Sequence, residues 1–230
     1  MLDLQWDVIF RYREDIVSGL VLALRMTAAG FVLGAAFGLL LAFARTSGRR
    51  WLSGPATVYV EFVRNIPLLL IVLIFYFGVP MVVPRASPRW VKDILILDGE
   101  ASMIVALALY YGAYLCEVFR AGILSVGRRY LDAGRSLGLT GVGIARWITL
   151  PIMFRAVLPS LSNTSISLFK DTSIAMAISV PELTFAARKI ATDTFKFIEP
   201  WVVVGGIYLV TAWLIAFVLR WLERRIRWTA

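Results

Sequence analysis

The sequence has 230 residues but no histidine and only one cysteine, Cys116. Without histidine, the chain cannot form a histidine-ligated haem or zinc site, a Ser-His-Asp triad or a Cys-His pair. A single cysteine cannot form a disulfide within the chain or a cysteine metal cluster. The GxxxxGK[ST] phosphate loop is also missing, so ATP would have to be handled by another polypeptide. We therefore expect no catalytic residue, metal site or bound cofactor in this chain.

Charged residues are scarce: they make up 17% of the sequence, and 60% of the residues are hydrophobic. A typical soluble protein carries about 25% charged residues. A membrane span needs roughly 20 predominantly apolar residues. Five apolar runs are of about this length or longer: 16–43, 58–83, 101–119, 158–180 and 201–222. The runs are continuous and do not alternate, which favours helices over a barrel. We predict an all-α membrane protein, a single domain over 1–230 with five transmembrane helices.

The basic residues lie mainly on one side of these predicted spans. Segments 44–56, 120–157 and the tail from residue 220 together hold thirteen basic and two acidic residues. Segments 1–15, 84–100 and 182–200 hold eight basic and ten acidic residues. Because positive charge is retained in the cytoplasm, we predict an external N-terminus and a cytoplasmic C-terminus. This topology accounts for the net charge of +9, so we expect no nucleic-acid partner. The polar first 18 residues do not resemble a signal peptide.

Polar residues interrupt two of the five runs. The second run contains Arg64, Asn65 and Pro67, and proline kinks a helix where neighbours or water satisfy the freed backbone groups. The fourth run holds Lys170 and Asp171 at its centre. A charge near the middle of the bilayer costs at least ~2.5 kcal/mol, so such side chains normally face protein or water.

Small residues follow one side of the first run. Gly30, Gly34 and Gly38 are spaced four apart, which places them on one helix face and predicts close packing of another helix. Arg25 lies in the interior of the same run, and the sequence does not indicate its partner.

Residues 121–157 form the only sizeable segment on the predicted cytoplasmic side. Gly138 and Gly141 permit a sharp turn between two short helices, Thr140 can cap the second, and Pro151 is expected to end it. The apolar face of the second helix would consist of Ile144, Trp147 and Ile148. The segment is either a knob that docks into a partner or an interfacial or re-entrant helix pair.

The stretch DAGRSLGLTGVGIARWITLP, residues 132–151, resembles the coupling loop of bacterial ABC importer permeases. That pattern reads E-A-A, three residues, G, nine residues, then I-x-L-P. Aspartate replaces the glutamate here, and glycine replaces the second alanine. The matching positions are Asp132, Ala133, Gly134, Gly138, Ile148, Leu150 and Pro151.

Four other stretches resemble the permeases of the polar amino acid group, which serves histidine, glutamine, glutamate, arginine and opines. They are FVRNIPLLLIVLIFYFGVP, GAYLCEVFRAGILSV, FKDTSIAMAISVPEL and FVLRWLERR. The family usually has R-G-T-P or R-S-I-P where this chain has Arg64 to Pro67. The resemblance covers nearly the whole chain.

The resemblance implies a type I ABC importer fold in the bacterial cytoplasmic (inner) membrane. Two such permease subunits, identical or different, would form the path, and two ATPase subunits would bind ATP and Mg. An extracytoplasmic binding protein would deliver the amino acid. The 132–151 loop would contact the ATPase. The residues nominated for the substrate path are Asn65, Ile66, Pro67, Glu117, Lys170, Asp171, Thr172 and Ser173.

Other interpretations stay open at this point. Glu117 and Arg120 are spaced i,i+3 and could simply pair, and Lys170 to Ser173 could serve structural pairing or gating. Glu61 and Arg64 suit a structural or interfacial role better than a pathway role. The chain could also be a self-sufficient secondary transporter or channel, although its halves show no convincing repeat. An intramembrane enzyme fits poorly with the absence of histidine. The sequence identifies neither the amino acid nor the second permease subunit.

Overall fold

A computed structural model describes residues 5–226 as helices joined by short connections. The predicted domain over 1–230 extends beyond this range at both ends. The helices are, in chain order, α1 (Asp7–Arg11), α2 (Arg13–Thr46), α3 (Arg50–Arg64), α4 (Leu68–Leu73), α5 (Val79–Val82), α6 (Arg89–Leu95), α7 (Gly99–Leu124), α8 (Arg128–Ser136), α9 (Gly141–Ile144), α10 (Leu150–Asp171), α11 (Leu183–Thr194) and α12 (Ile198–Ile226).

Several of these helices join end to end. A π-helical turn, Ile74–Gly78, connects α4 to α5, and a second one, Ala145–Thr149, connects α9 to α10. A 3₁₀ segment, Thr172–Ile178, continues α10, so that Gly141–Ile178 is one helix of 38 residues. By length and composition α2, α7, Gly141–Ile178 and α12 could each cross a membrane, and α3 with α4–α5 would be a fifth, broken span. The chain is therefore a multi-pass membrane protein.

The second predicted run, 58–83, is broken and does not form one helix. The axes of Arg50–Arg64 and Leu68–Val82 meet at 106°. Pro67 stands just before α4, where its missing N–H is harmless. The Asn65 side-chain nitrogen donates to the Glu61 carbonyl at 2.6 Å and so satisfies an end group of α3. The predicted proline kink is confirmed, and it is sharp enough to separate two helices.

The main core lies where α2, α3, α4, α7 and α10 meet, and α2 and α7 come close together along their glycines. A Cβ atom added at Gly34 would lie 3.1 Å from the Ala108 carbonyl oxygen. One added at Gly38 would lie 2.7 Å from the Gly112 carbonyl oxygen. The packing role predicted for this glycine face is confirmed, because side chains there would collide with the backbone of α7.

Gly38→Val is expected to lower the thermal unfolding midpoint of the purified protein strongly. The new side chain would meet the backbone of α7, which cannot retreat without separating the two helices, and overpacking of this kind costs about 1–3 kcal/mol or more. Gly205→Val is the matched control, since a Cβ atom there has no neighbour within 4 Å. Melting in detergent checks the prediction. Equal shifts for the two variants would contradict it.

A second, smaller core joins α1, the start of α2, α11 and the start of α12. The charge pattern assigns 182–200 only to the predicted external side, but the structure contains α11 there. The N-terminal cap of α11 is Glu182, which is fully buried. Its carboxylate accepts hydrogen bonds from the Thr184 and Phe185 N–H groups at 2.8 and 2.9 Å. It also accepts one from the Tyr208 hydroxyl at 2.8 Å. Burial raises the pKa of the Glu182 carboxyl, and the three bonds oppose that rise. This carboxyl thus ties α11 to α12.

Arg25 pairs with Glu100 in the first turn of α7, and its Nε atom lies 2.7 Å from Glu100 Oε1. The carboxylate suits a helix N-terminus, where it faces the positive end of the macrodipole. The pair supplies the partner that the sequence does not indicate. It also aligns the start of α7 with the middle of α2, so the first turns of α2 project past α7.

Candidate translocation and coupling sites

A polar stripe runs along α7. Tyr111, Tyr114, Glu117 and Arg120 recur every three residues, so each lies about 60° around the helix from the one before, and the stripe winds around α7 along its length. Tyr110 lies beside them, with its ring centroid 5.4 Å from that of Tyr111. Of these residues only Glu117 is nominated from the sequence for the substrate path, although the three-residue spacing is visible there.

One end of the stripe contacts Asp171, the last residue of α10. The Tyr111 hydroxyl donates to Asp171 Oδ2 at 2.7 Å. The hydroxyls of Tyr110 and Tyr114 lie 3.2 Å apart and extend the polar contacts along α7. Thr172, the next residue after Asp171, is fully buried and donates to the Phe169 carbonyl at 2.7 Å. Asp171 therefore belongs to the stripe, whereas Thr172 packs inside the chain.

The stripe also reaches the break between α3 and α4. The Tyr114 hydroxyl lies 3.4 Å from the Arg64 carbonyl oxygen, and the Arg64 guanidinium lies 5.3 Å from the centre of the Tyr114 ring. Asn65 is exposed, Ile66 packs on the main core, and Pro67 precedes α4. The structure thus brings the break and Asp171, which are far apart in sequence, to one face of α7.

Glu117 is the centre of an ion cluster at the far end of the stripe. It bonds to Arg45 of α2, and its Oε2 atom lies 2.9 Å from the Arg120 Nη2 atom. Arg64 Nη1 lies 3.9 Å from Glu117 Oε1, and Arg45 Nη2 lies 4.0 Å from Glu61 Oε1. The i,i+3 pairing of Glu117 with Arg120 is confirmed. The cluster joins α2, α3 and α7 and gives Glu61 and Arg64 their partners.

Lys170 and Ser173 lie on another face, towards α12. They line a groove of about 510 Å³ together with aromatic residues that include Tyr208 and Trp213. Among the residues that the structure describes, none forms a hydrogen bond or ion pair with the side-chain amine of Lys170. Lys170 and Asp171 therefore point to different sides of the helix, and the nominated path residues divide between two faces.

The 132–151 loop contains the predicted pair of helices. After α8, Gly138 adopts a φ of +74°, and the Thr140 hydroxyl accepts the Gly143 N–H at 3.2 Å as the cap of α9. Gly138 alone needs the left-handed conformation, and Gly141 is simply the first residue of α9. Asp132 is exposed and pairs with Arg135 at 2.7 Å. The turn and the cap are confirmed.

Pro151 does not end the second helix, contrary to the expectation from its sequence. The helix widens into the π-helical turn Ala145–Thr149 just before Pro151 and then continues as α10. A wider turn relieves the contact between a proline ring and the carbonyl of the preceding turn. The loop therefore passes into the fourth span without interruption, and Leu150 packs on the main core.

The apolar residues of the loop separate into two sets. Gly134 is buried against Ile148: a Cβ atom at Gly134 would lie 2.5 Å from Ile148 Cδ1. By contrast, Leu137, Val142 and Trp147 are exposed by 82, 79 and 68%. The single apolar face predicted for Ile144, Trp147 and Ile148 is wrong, because Trp147 points away while the two isoleucines face α8. Exposed apolar side chains of this kind often mark a protein contact.

Comparison with known proteins identifies the family. Residues 34–228 match the family of binding-protein-dependent transport system inner membrane components. The chain belongs to this family.

Two bacterial permeases illustrate the likeness within the family. The glutamine transport system permease protein GlnP of Escherichia coli is 32% identical over 222 residues, with 96% of this chain and 97% of the relative covered. The L-cystine transport system permease protein TcyB of Bacillus subtilis is 33% identical over 223 residues, with 96 and 91% covered.

Solved structures show the same fold. An amino acid ABC transporter crystallised with histidines matches with a TM-score of 0.83 and 28% identity, covering 97% of this chain and all of the other. A chain of the MetNI methionine ABC transporter matches with a TM-score of 0.75 at 19% identity, covering 93 and 97%. The predicted resemblance to polar amino acid ABC permeases is confirmed, and the self-sufficient carrier is the less supported alternative. The family is that of permease subunits, which are not themselves enzymes.

The family match includes every residue that we place in the polar stripe and in the loop of this permease. It begins at Gly34, inside α2. Helix α1 and the first turns of α2, which contribute to the second core, precede the matched range.

Proposed function

We propose that this permease forms half of the path of an ATP-driven importer for polar amino acids, and that the substrate moves along the α7 stripe. The observation that carries the proposal is the chain of contacts from Asp171 through the three tyrosines to Arg64 and the Glu117 cluster. Polar groups at membrane depth face protein or water rather than lipid. A stripe of this length, partly exposed beside a broken span, suits a water-filled path.

The chemistry of the stripe suits a zwitterion. An amino acid needs acceptors for its ammonium group and donors for its carboxylate. Asp171 and the tyrosine hydroxyls supply acceptors, and Arg64, Arg45 and Arg120 supply donors near the other end. We therefore place five of the nominated residues along the α7 stripe: Asn65, Ile66, Pro67, Glu117 and Asp171. Lys170 and Ser173 would line the separate groove against α12. Thr172, which is buried, would fix the backbone that carries Asp171 and Ser173 on either side of it.

The helical loop is the proposed contact with the ATPase. Leu137, Val142 and Trp147 offer an exposed apolar surface on a segment that continues rigidly into the fourth span. ATP and Mg would bind the ATPase subunits, and the nucleotide would act by favouring one arrangement of the permease pair over another. The nominated coupling residues are Asp132, Ala133, Gly134, Gly138, Ile148, Leu150 and Pro151. Gly134 and Ile148 would hold the two loop helices together, and Leu150 would join the loop to the main core.

The proposed assembly has a second permease subunit, identical or different, and an extracytoplasmic binding protein. The chain would cross the bacterial inner membrane five times as a single domain, with α3 and α4–α5 as the broken span. The surplus of basic residues supports a cytoplasmic C-terminus and a cytoplasmic 121–157 segment. The path itself would bind no cofactor.

Uptake by the reconstituted complex tests this proposal. Proteoliposomes that contain the permease, its ATPase and its binding protein should accumulate radiolabelled glutamine, histidine, arginine or cystine only with ATP on the ATPase side. Vesicles with a hydrolysis-deficient ATPase are the control. Accumulation that needs an ion gradient but no ATPase would overturn the proposal in favour of a self-sufficient carrier.

A further inference from the structure

Helix α6 divides lengthwise into an apolar and a polar half. Successive residues of a helix are about 100° apart, so Trp90, Val91, Ile94 and Leu95 share one half of Arg89–Leu95. The charged residues of this helix occupy the other half. They are Arg89, Lys92 and Asp93.

The charged side chains of the polar half have partners within the chain, whereas the side chains of the apolar half are largely exposed. Arg89 Nε lies 3.9 Å from Asp93 Oδ2, and the Lys92 amine donates to the Arg85 carbonyl at 2.6 Å. On the apolar half, Trp90 is 66% and Ile94 63% exposed. A stable helix of this kind in water would be expected to turn its apolar half towards the protein, whereas here it faces outwards.

The position of α6 in the fold indicates what lies on the outer face. The chain leaves the broken span at Val82 and enters α7 at Gly99, so α6 connects two spans at one boundary of the membrane. Leu95 is four residues from Gly99, and four residues reach at most about 14 Å. Helix α6 therefore cannot leave the boundary region.

The apolar half of α6 also continues the surface of the preceding span. Met81 and Val82 at the end of α5 are 86 and 78% exposed, and Ile74 and Phe77 of the π-helical turn are more than half exposed. On a spanning helix, exposed apolar side chains are typical of a surface that faces lipid or a second membrane subunit. The same kind of surface thus extends from the span onto α6.

We propose that α6 lies in the plane of the membrane surface, with Trp90 and Ile94 inserted among the lipids and Arg89, Lys92 and Asp93 facing water. A tryptophan ring is favoured at the boundary between hydrocarbon and headgroups, and short amphipathic helices bind there through their apolar face. The helix would anchor the connection between the broken span and α7, and would hold the entrance of the path at a fixed depth. The interaction surface is lipid rather than a binding protein.

Spin labels at neighbouring positions test the proposal. Labels are attached to Ile94→Cys and, as the matched control, to Asp93→Cys, in a Cys116→Ala background and in the complete transporter reconstituted in nanodiscs. Collision with oxygen, which concentrates in lipid, is compared with collision with a water-soluble nickel chelate. The label at position 94 should favour oxygen, and the label at position 93 should favour the chelate. A label at Trp90→Cys should behave like the one at position 94, which guards against a local effect of one substitution.

Two other results would overturn the proposal. A label at position 94 that meets the chelate as often as the label at position 93 would place the apolar half in water. A label at position 94 that meets neither reagent would show that protein covers this half. Repeating the measurement with and without the binding protein tells whether that protein is the cover. Neither result bears on ATP-driven uptake, so the proposed function is tested separately.

Discussion

A Gly138→Trp permease is expected to remain folded and to lose its associated ATPase. Gly138 has a φ of +74° at the exposed turn between α8 and α9. A side chain in the left-handed region costs about 1–2 kcal/mol, and a Cβ atom at Gly138 has no neighbour within 4 Å, so the chain itself tolerates the change. The indole would project beside Leu137, where we place the ATPase. Co-purification of ATPase activity from mild detergent measures the loss.

Gly48→Trp separates loss of docking from backbone strain. Gly48 has a φ of +70° and likewise no neighbour within 4 Å, but it lies between α2 and α3, outside the loop. The two variants therefore carry the same local strain. We expect the Gly48 variant to keep the ATPase. Equal retention by both variants would remove the loop from the ATPase contact, and equal loss would attribute the effect to strain.

Asp171→Ala is expected to reduce amino acid uptake by about 10- to 100-fold in the assembled complex. A hydrogen bond to a charged group contributes about 1.5–3 kcal/mol, and each 1.4 kcal/mol corresponds to a factor of ten. The substitution removes the acceptor of the Tyr111 hydroxyl and the charge that we assign to the substrate ammonium. Initial rates of radiolabelled uptake measure the effect at matched amounts of complex.

Three further variants assign the cause of that loss. Tyr111→Phe removes the hydroxyl but keeps the ring and the charge of Asp171, and Asp171→Asn keeps an acceptor without the charge. If the charge binds the substrate, Asp171→Asn should impair uptake more than Tyr111→Phe. Asp7→Ala, at an exposed surface pair, is the control for loss of a carboxylate. Normal uptake by Asp171→Ala together with normal ATPase association would remove Asp171 from the path.

Local chemistry made the loop largely predictable from its sequence. Glycine adopts the positive φ of a tight turn at little cost, and threonine is a favoured helix cap. Gly138 and Thr140 therefore predict the turn and the cap by their residue types alone. The prediction for Pro151 is wrong, because a proline disrupts a regular α-helix but the helix can continue past it when a π-helical turn precedes it. The direction of Trp147 depended on how α9 packs against α8, and periodicity alone does not give that.

The polar stripe was harder to predict. Tyrosines in an apolar run usually pack or anchor at an interface, so the spacing of Tyr111 and Tyr114 does not by itself distinguish a path from ordinary packing. Only the fold brings Asp171 to Tyr111 and the break at Asn65 to Tyr114. Glu182 is one of the acidic residues of the predicted external segment 182–200, and nothing local in the sequence indicates that its carboxyl is buried as the cap of α11.

Gly141–Ile178 is one uninterrupted helix. The number of residues between the loop and Asp171 therefore determines the direction in which Asp171 points relative to the loop. Each residue turns the helix by about 100°, so one inserted residue between Leu150 and Lys170 would rotate everything beyond it by that angle relative to the loop. Lys170 would then occupy the place of Asp171 and present a positive charge to Tyr111. An insertion of seven residues, close to two full turns, would nearly restore the orientation but lengthen the helix by about 10 Å. The number of residues in this segment is thus as constrained as their identity.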